Sequence, residues 1–261
     1  MERRKVLQFT DLVITDKQID EISREVVTVA RSSRNCEILN CINPHSFVMA
    51  QKDLSLAKAL KSSSWLVPDG IGIVVASRFF RSRLKERVTG PDIFTKIMSE
   101  IDETGGSVIF FGSSESNLAA IESMVAREYP SISILATISP PFVTELDDEQ
   151  NERAVNQINR LSPDILWVGM TAPKQEKWTL RNHSRLNVGV AADVGAVFDF
   201  ASGNIPRAPL FFRRLGLEWL YRFVKDPLRL AERTFVSAPL FVLLIMAERL
   251  GVSRRVFGLK D

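Results

Sequence analysis

The chain has 261 residues, 45% of them hydrophobic and 25% charged, which suits a globular core in one large domain or two small ones. Its formal charge of +3 is unevenly spread: residues 205–261 carry 11 Lys or Arg against 5 Asp or Glu, residues 1–204 carry 23 against 26, and so a mildly acidic body bears a basic tail suited to an anionic partner such as a membrane surface or nucleic acid. Two cysteines and two histidines (His45 and His183) in no CxxC or Cys/His cluster argue against a structural zinc site, and no apolar signal core follows Met1-Glu2-Arg3-Arg4-Lys5, so the expected compartment is the cytoplasm.

In chain order, Lys5–Thr15 reads as a small hairpin or edge pair, followed by a helix from Asp16 to Ser32. Cys36–Asn43 reads as a strand; its cysteines, five apart, point to opposite faces, which argues against a disulfide. An amphipathic stretch, His45–Lys61, leads to a short apolar strand, Trp65–Val67, and then to Pro68-Asp69-Gly70-Ile71-Gly72. Gly70 and Gly72 allow a tight turn and close approach of a ligand. Asp69 thus stands at the carboxyl edge of a sheet, where open α/β folds bind ligands, and is a candidate general base. The alternative is an N-cap for the helix Ile71–Phe80.

Arg87-Val88-Thr89-Gly90-Pro91-Asp92 turns into the helix Pro91–Glu103, and Arg87 is either a diphosphate clamp or a surface charge. Strand Ser107–Gly112 runs into Gly112-Ser113-Ser114 before the helix Glu115–Tyr129; small residues there suit a phosphate or ordinary capping. Strand Ser131–Thr137 and helix Asp147–Leu161 follow. Strand Asp164–Gly169 ends in Gly169-Met170-Thr171-Ala172-Pro173-Lys174-Gln175, and Pro173 suits the first turn of a helix running to Ser184. From that turn Lys174 can meet a phosphate and Gln175 a base or sugar, unless the turn is simply solvated. Strand Asn187–Asp193 ends in Asp193-Val194-Gly195, where Asp193 suits a sugar hydroxyl or a cap.

Most of these strands lack polar alternation, as strands buried on both faces do, and they alternate with helices. The pattern specifies a doubly wound, mostly parallel α/β sheet over residues 1–204. Residues 205–261 form a helical, basic and aromatic appendage. There Phe211, Phe212, Trp219, Tyr221 and Phe223 are interleaved with Arg207, Arg213, Arg214, Arg222, Arg229 and Arg233. That mixture suits a membrane interface, or packing on the body or on another subunit, which leaves a homo-oligomer open. It disfavours nucleic acid, because the large apolar groups need burial. The apolar run Phe235–Ala247 would span roughly 20 Å as a helix, short of a hydrocarbon core of about 30 Å. It is expected to be a buried or interfacial helix.

Several motifs occur in one order. They are Asn43-Pro44, Pro68-Asp69-Gly70-Ile71-Gly72, Arg87-Val88-Thr89-Gly90, Phe111-Gly112, Val168-Gly169-Met170 with Pro173-Lys174-Gln175-Glu176, Asp193-Val194-Gly195, and Arg207-Ala208-Pro209 with Gly216-Leu217-Glu218-Trp219-Leu220-Tyr221-Arg222. The set resembles the WecG/TagA/CpsF family of bacterial glycosyltransferases. The resemblance implies a Rossmann-like, inverting enzyme, peripheral on the cytoplasmic face of the inner membrane. It would pass a hexose (N-acetylmannosamine, its uronic acid or glucose) from a UDP-sugar to a sugar on undecaprenyl diphosphate. It implies Asp69 as base, with Asn43, Arg87 and Gln175 lining the pocket. Some members carry Thr where this chain has Cys41. The donor set expected is Gly70, Gly112, Ser113, Gly169, Lys174, Gln175, Asp193 and Gly195. Arg207, Arg213, Arg214, Arg222 and Arg229 are expected at lipid headgroups or the acceptor diphosphate. No Asp-x-Asp motif is present, so charge on the leaving group is expected to fall to Arg87, Lys174 and amides near Gly112–Ser114 rather than to a metal, with no cofactor. The rival expectations are a soluble nucleotide-sugar or dinucleotide enzyme, disfavoured by the missing GxGxxG, and a non-catalytic assembly factor.

Overall fold

The computed structural model describes residues 5–7, 12–80 and 84–250. Strands β1 (Lys5–Leu7) and β2 (Leu12–Val13) pair antiparallel, as the hairpin reading expects. Helix α1 (Ile19–Ser32) leads to β3 (Glu37–Ile42), α2 (Pro44–Lys52), α3 (Leu54–Lys61), β4 (Trp65–Pro68) and α4 (Ile71–Phe79). Then come α5 (Gly90–Thr104), β5 (Gly106–Gly112), α6 (Glu115–Glu128), β6 (Ile132–Ile138), α7 (Asp148–Leu161), β7 (Ile165–Gly169), α8 (Lys174–Asn182) and β8 (Val190–Asp193). The remainder is helical: α9 (Val197–Ala201), α10 (Leu210–Arg214), α11 (Glu218–Lys225), α12 (Pro227–Ala231), a π-helical turn (Glu232–Ser237) and α13 (Ala238–Arg249).

The sheet is parallel throughout, in the order β4-β3-β8-β7-β5-β6. All its strands therefore end at one edge, with Ile42 opposite Pro68, Asp193 opposite both Asn40 and Val168, and Gly112 opposite Gly169. Alternate side chains feed opposite faces. Val108, Phe110, Ile165 and Trp167 join α1, α5, α6 and α9 in one core. Ile109, Phe111, Leu166 and Val168 meet α7 and α8 on the other face. The same second face carries Ile42 and Leu66 under α2, α3, α4 and α13. Burial on both sides explains why these strands read as continuous apolar runs.

Most boundaries fall within two residues of expectation, and three features depart further. The stretch 45–61 is two helices: the Asp53 N–H closes α2 on Met49 O, and its carboxylate caps α3 by accepting from Ser55 N and Leu56 N, both at 3.1 Å. Helix α1 starts at Ile19 behind Gln18 rather than at Asp16. Strand β8 starts at Val190, because Gly189 passes against the end of α1, where a Cβ would lie 2.1 Å from Ala30 O. Both cysteines are free; Cys36 faces the α7–α8 core and Cys41 the opposite one.

The outer margin of β4 is occupied: Thr15 N donates to Leu66 O (2.9 Å), Leu66 N to Thr15 Oγ1 (3.1 Å) and Val88 N to Pro68 O (3.0 Å). The C-terminal helices fold back on the body. Phe241 of α13 meets Phe47 of α2 edge to face, 5.3 Å between centroids, and His45 Nδ1 lies 2.7 Å from Ser237 Oγ. The apolar run 235–247 is thus split between a π-turn and α13, which buries Phe241, Leu244 and Ile245 in the α2–α4 core. No helix of the described residues is long and apolar enough to cross a membrane.

Candidate active site

Asp69 is the first residue off the end of β4, with its N–H held by Ile42 O at 2.8 Å. Gly70 follows at φ +99°, a region that glycine enters without steric penalty, and it, not Asp69, occupies the cap position of α4. No side chain caps that helix, so the Asp69 carboxylate is left to the cavity it lines, which measures about 750 Å³. Asn43, at the end of β3, also lines this cavity, although its Oδ1 caps α2 by accepting from His45 N and Ser46 N, each at 3.0 Å. Arg87, from the segment before α5, is a third wall. The opposite wall comes from the C-terminal segment: Glu218, Trp219 and Arg222 of α11, Arg233 of the π-turn, and α13.

Burial raises the Asp69 pKa to about 6; Arg222, Arg87 and Arg233 pull against that rise, and Glu218 adds to it. A carboxylate so placed is ionised at neutral pH and a stronger base than an ordinary aspartate. Beneath it the Cys41 thiol is pushed well up, first by burial and then by Asp69, Glu176 and Asp193. His45, also at the cavity, is lowered by burial and by Arg233, with Glu232 opposing. Arg87 donates from Nη2 to Arg213 O (3.0 Å) and lies 3.7 Å from Glu218. The cavity is rimmed by apolar side chains that remain exposed, among them Phe79, Trp219, Val242, Met246 and Leu250.

The rest of the expected donor set stands along the same sheet edge but does not line this cavity. Gly112 (φ +118°) packs so tightly on β7 that a Cβ would lie 2.4 Å from Gly169 O, and a Cβ on Gly169 would strike the Phe198 ring. Ser113 Oγ accepts from Asn117 Nδ2 (2.9 Å), and the neighbouring Ser114 caps α6. Lys174 donates to Val143 O (2.6 Å), and burial lowers its pKa. Gln175 is buried beside Gly195 and donates to Glu176 Oε1 (3.1 Å). Asp193 is buried too, accepting from Thr179 Oγ1 (2.7 Å), with its pKa raised by burial and by Glu176.

Among the expected acceptor arginines, Arg222 lines the cavity, its guanidinium 5.2 Å over the Phe200 ring. Arg207 is instead held inside the fold, with Nη2 2.5 Å from Asp92 Oδ1 and 3.2 Å from Thr89 Oγ1. Arg213 contributes its carbonyl to Arg87. The side chains of Arg214 and Arg229 lie outside the described residues. Sequence reasoning missed Glu218, Arg233, His45 and Trp219 as cavity residues. The signal for Glu218 was an acid in a basic segment; for Arg233 it was a place one helical turn beyond Arg229. Among the described residues no group of three or more His, Cys, Asp or Glu is placed to hold a metal ion.

The model of the glycosyl transferase WecG/TagA/CpsF family matches residues 7–255. An N-acetylglucosaminyldiphosphoundecaprenol N-acetyl-beta-D-mannosaminyltransferase of Bacillus subtilis (strain 168) is 31% identical over 211 residues, covering 81% of this chain and 79% of that protein. Proteins of the same name from Bacillus spizizenii (strain ATCC 23059 / NRRL B-14472 / W23) and Staphylococcus aureus (strain MW2) are 32% and 27% identical, over 78% and 82% of this chain and 76% and 81% of theirs.

Proposed function

This chain belongs to the WecG/TagA/CpsF glycosyltransferase family, and from that premise we propose that it transfers N-acetylmannosamine from a UDP-sugar, with inversion, to N-acetylglucosamine on undecaprenyl diphosphate. The reading rests above all on one observation: the Asp69 carboxylate, made more basic by burial, shares a cavity with Arg87, Arg222 and Arg233 behind an exposed apolar rim. Each part of that wall has a chemical use. Asp69 takes the proton from the acceptor hydroxyl as the new glycosidic bond forms, within hydrogen-bond reach of about 3 Å. The guanidinium groups stabilise the charge that builds on the departing diphosphate. The apolar rim suits a polyprenyl chain arriving from a bilayer and supports reading the enzyme as peripheral at a membrane surface, which we assign to the cytoplasmic face.

The donor's nucleotide would lie along the sheet edge over β7 and β5, with its sugar toward β4. The carboxyl ends of neighbouring strands stand about 4.8 Å apart, so the row from β5 to β4 extends roughly 19 Å. Lys174 and the Gly112–Ser114 turn lie on that row. Fixed cations, rather than a resident metal, are assigned the leaving-group charge. Turnover should therefore persist in EDTA, and strict dependence on Mg²⁺ or Mn²⁺ would remove that assignment.

The decisive experiment is product analysis with a panel of UDP-sugars and a short-chain lipid diphosphate bearing N-acetylglucosamine. The expected product is a β-linked disaccharide on the lipid from UDP-N-acetylmannosamine. Transfer from no member of the panel would overturn the reading.

A further inference from the structure

Glu218 is an acidic side chain in the wall of the cavity to which the transferase reading assigns a diphosphate, where another negative charge is unwelcome unless it has a task. It begins α11, is only 8% exposed, and follows Gly216 (φ +71°), which passes so close to α4 that a Cβ would lie 3.2 Å from Ile71. Its carboxylate stands between two arginines, 3.7 Å from Arg87 Nη1 and 3.7 Å from Arg207 Nε. These two cations differ in freedom. Arg207 is anchored, with Nη2 on Asp92 Oδ1 at 2.5 Å and on Thr89 Oγ1 at 3.2 Å, while the Thr89 hydroxyl donates to Asp92 Oδ2 at 2.6 Å. Arg207 does not line the cavity, whereas Arg87 does, and one of its nitrogens is already fixed by Arg213 O at 3.0 Å.

We propose that Glu218 is a positioning residue for the transferase reaction: anchored through Arg207, its carboxylate holds the Arg87 guanidinium beside Asp69, ready for the donor diphosphate. The role rests on the transferase reading above. A guanidinium on a flexible stem loses much of its value for phosphate unless its place is set beforehand; the Arg213 carbonyl directs one end of Arg87 by a hydrogen bond, and the Glu218 carboxylate draws in the other by an ion pair at 3.7 Å. The same carboxylate offsets one positive charge, so the cavity attracts a diphosphate without holding Arg87 against Asp69. Glu218 also acts on Asp69 directly, since its negative charge opposes ionisation there. The other charged groups around Asp69 are Arg87, Arg222 and Arg233, with Arg249 of α13 and His45 on the same cavity and the Cys41 thiol close by.

The test compares the parent with Glu218→Gln, which keeps the shape and removes the charge. UDP affinity is measured by calorimetry and the pH profile of kcat/KM by product formation. The expected result is UDP binding weakened by about tenfold, donor KM raised in parallel, and an acidic limb moved to lower pH. A purely structural side chain would not move that limb. In an Arg87→Lys background, Glu218→Gln should add nothing further to the loss of UDP affinity. Should Glu218→Gln fail to fold, Arg207→Lys loosens the anchored end of the ion-pair chain and should weaken UDP binding while leaving the acidic limb in place, because the Glu218 charge is kept. A variant with the parent's UDP affinity and pH limb overturns the positioning role alone. A parent that neither binds UDP nor transfers a sugar overturns the transferase reading and this role with it.

Discussion

Ionising Asp69 works against folding even as it equips the site. The folded pKa of about 6 lies above the ordinary value of 3.8, so the folded state favours the protonated acid. Stability therefore falls as pH rises from about 4 to 6, where the unfolded chain has released its proton and the folded one has not, and stays at the lower level above that window. Asp69→Asn removes the burden. It should stabilise the protein by up to about 3 kcal/mol above pH 6 and leave it unchanged below about pH 3.5, as urea denaturation at the two pH values would measure. The same substitution should lower turnover by about 10²–10⁴-fold with UDP affinity kept, because only the proton acceptor is lost. In the parent, kcat/KM should drop below about pH 6 as the carboxyl gains its proton. Asp69 was legible in sequence because a lone carboxylate between an apolar strand and a glycine has few uses. Whether it capped the next helix was not legible; the φ of Gly70 decides that, and φ is not written in residue identity.

At the level of elements, the cavity around Asp69 depends on how α11, the π-turn and α13 are seated on α2 and α4. Phe241 is the buried hinge of that seating, packed edge to face on Phe47. Phe241→Ala should weaken the docking by about 3–5 kcal/mol, seen as faster limited proteolysis between α9 and α13 and as lost turnover with the sheet intact by circular dichroism. The strands themselves were readable to within a few residues, since each is an apolar run buried on two faces. The break at Asp53 was not, because the amphipathic pattern continues through it and only the capping geometry divides it. The cavity was half legible. Residues at the carboxyl ends of strands announced themselves, but which of those loops faces Asp69 depends on where the C-terminal segment returns. That is a tertiary fact: it brought in Glu218 and Arg233, and it left Gln175 and Asp193 buried behind the site.

Over the whole molecule, apolar side chains outside the core gather on the C-terminal helices. Leu228 is 92% and Phe235 67% exposed, on the same segment that brings Arg222 and Arg233 to the cavity. A surface of that kind should bind anionic vesicles reversibly, each inserted Leu or Phe contributing about 1.5–3 kcal/mol. Leu228→Glu with Phe235→Glu should abolish co-sedimentation with such vesicles and lower turnover on a lipid-linked acceptor, while thermal stability stays at the parent's value. Unchanged vesicle binding would make these helices a protein-facing surface instead.

The hydrogen bonds from Thr15 and Val88 along β4 carry one more implication. Asp69 hangs from a strand of four residues at the rim of its sheet, where bare amides and carbonyls invite a foreign strand to add itself. By filling those positions, two short stretches of chain guard that edge against a foreign strand and also hold β4 in step, since a slip of one residue would turn its carboxyl end over and aim Asp69, the proposed base, away from the cavity. The same few hydrogen bonds thus close the sheet edge and fix where Asp69 stands.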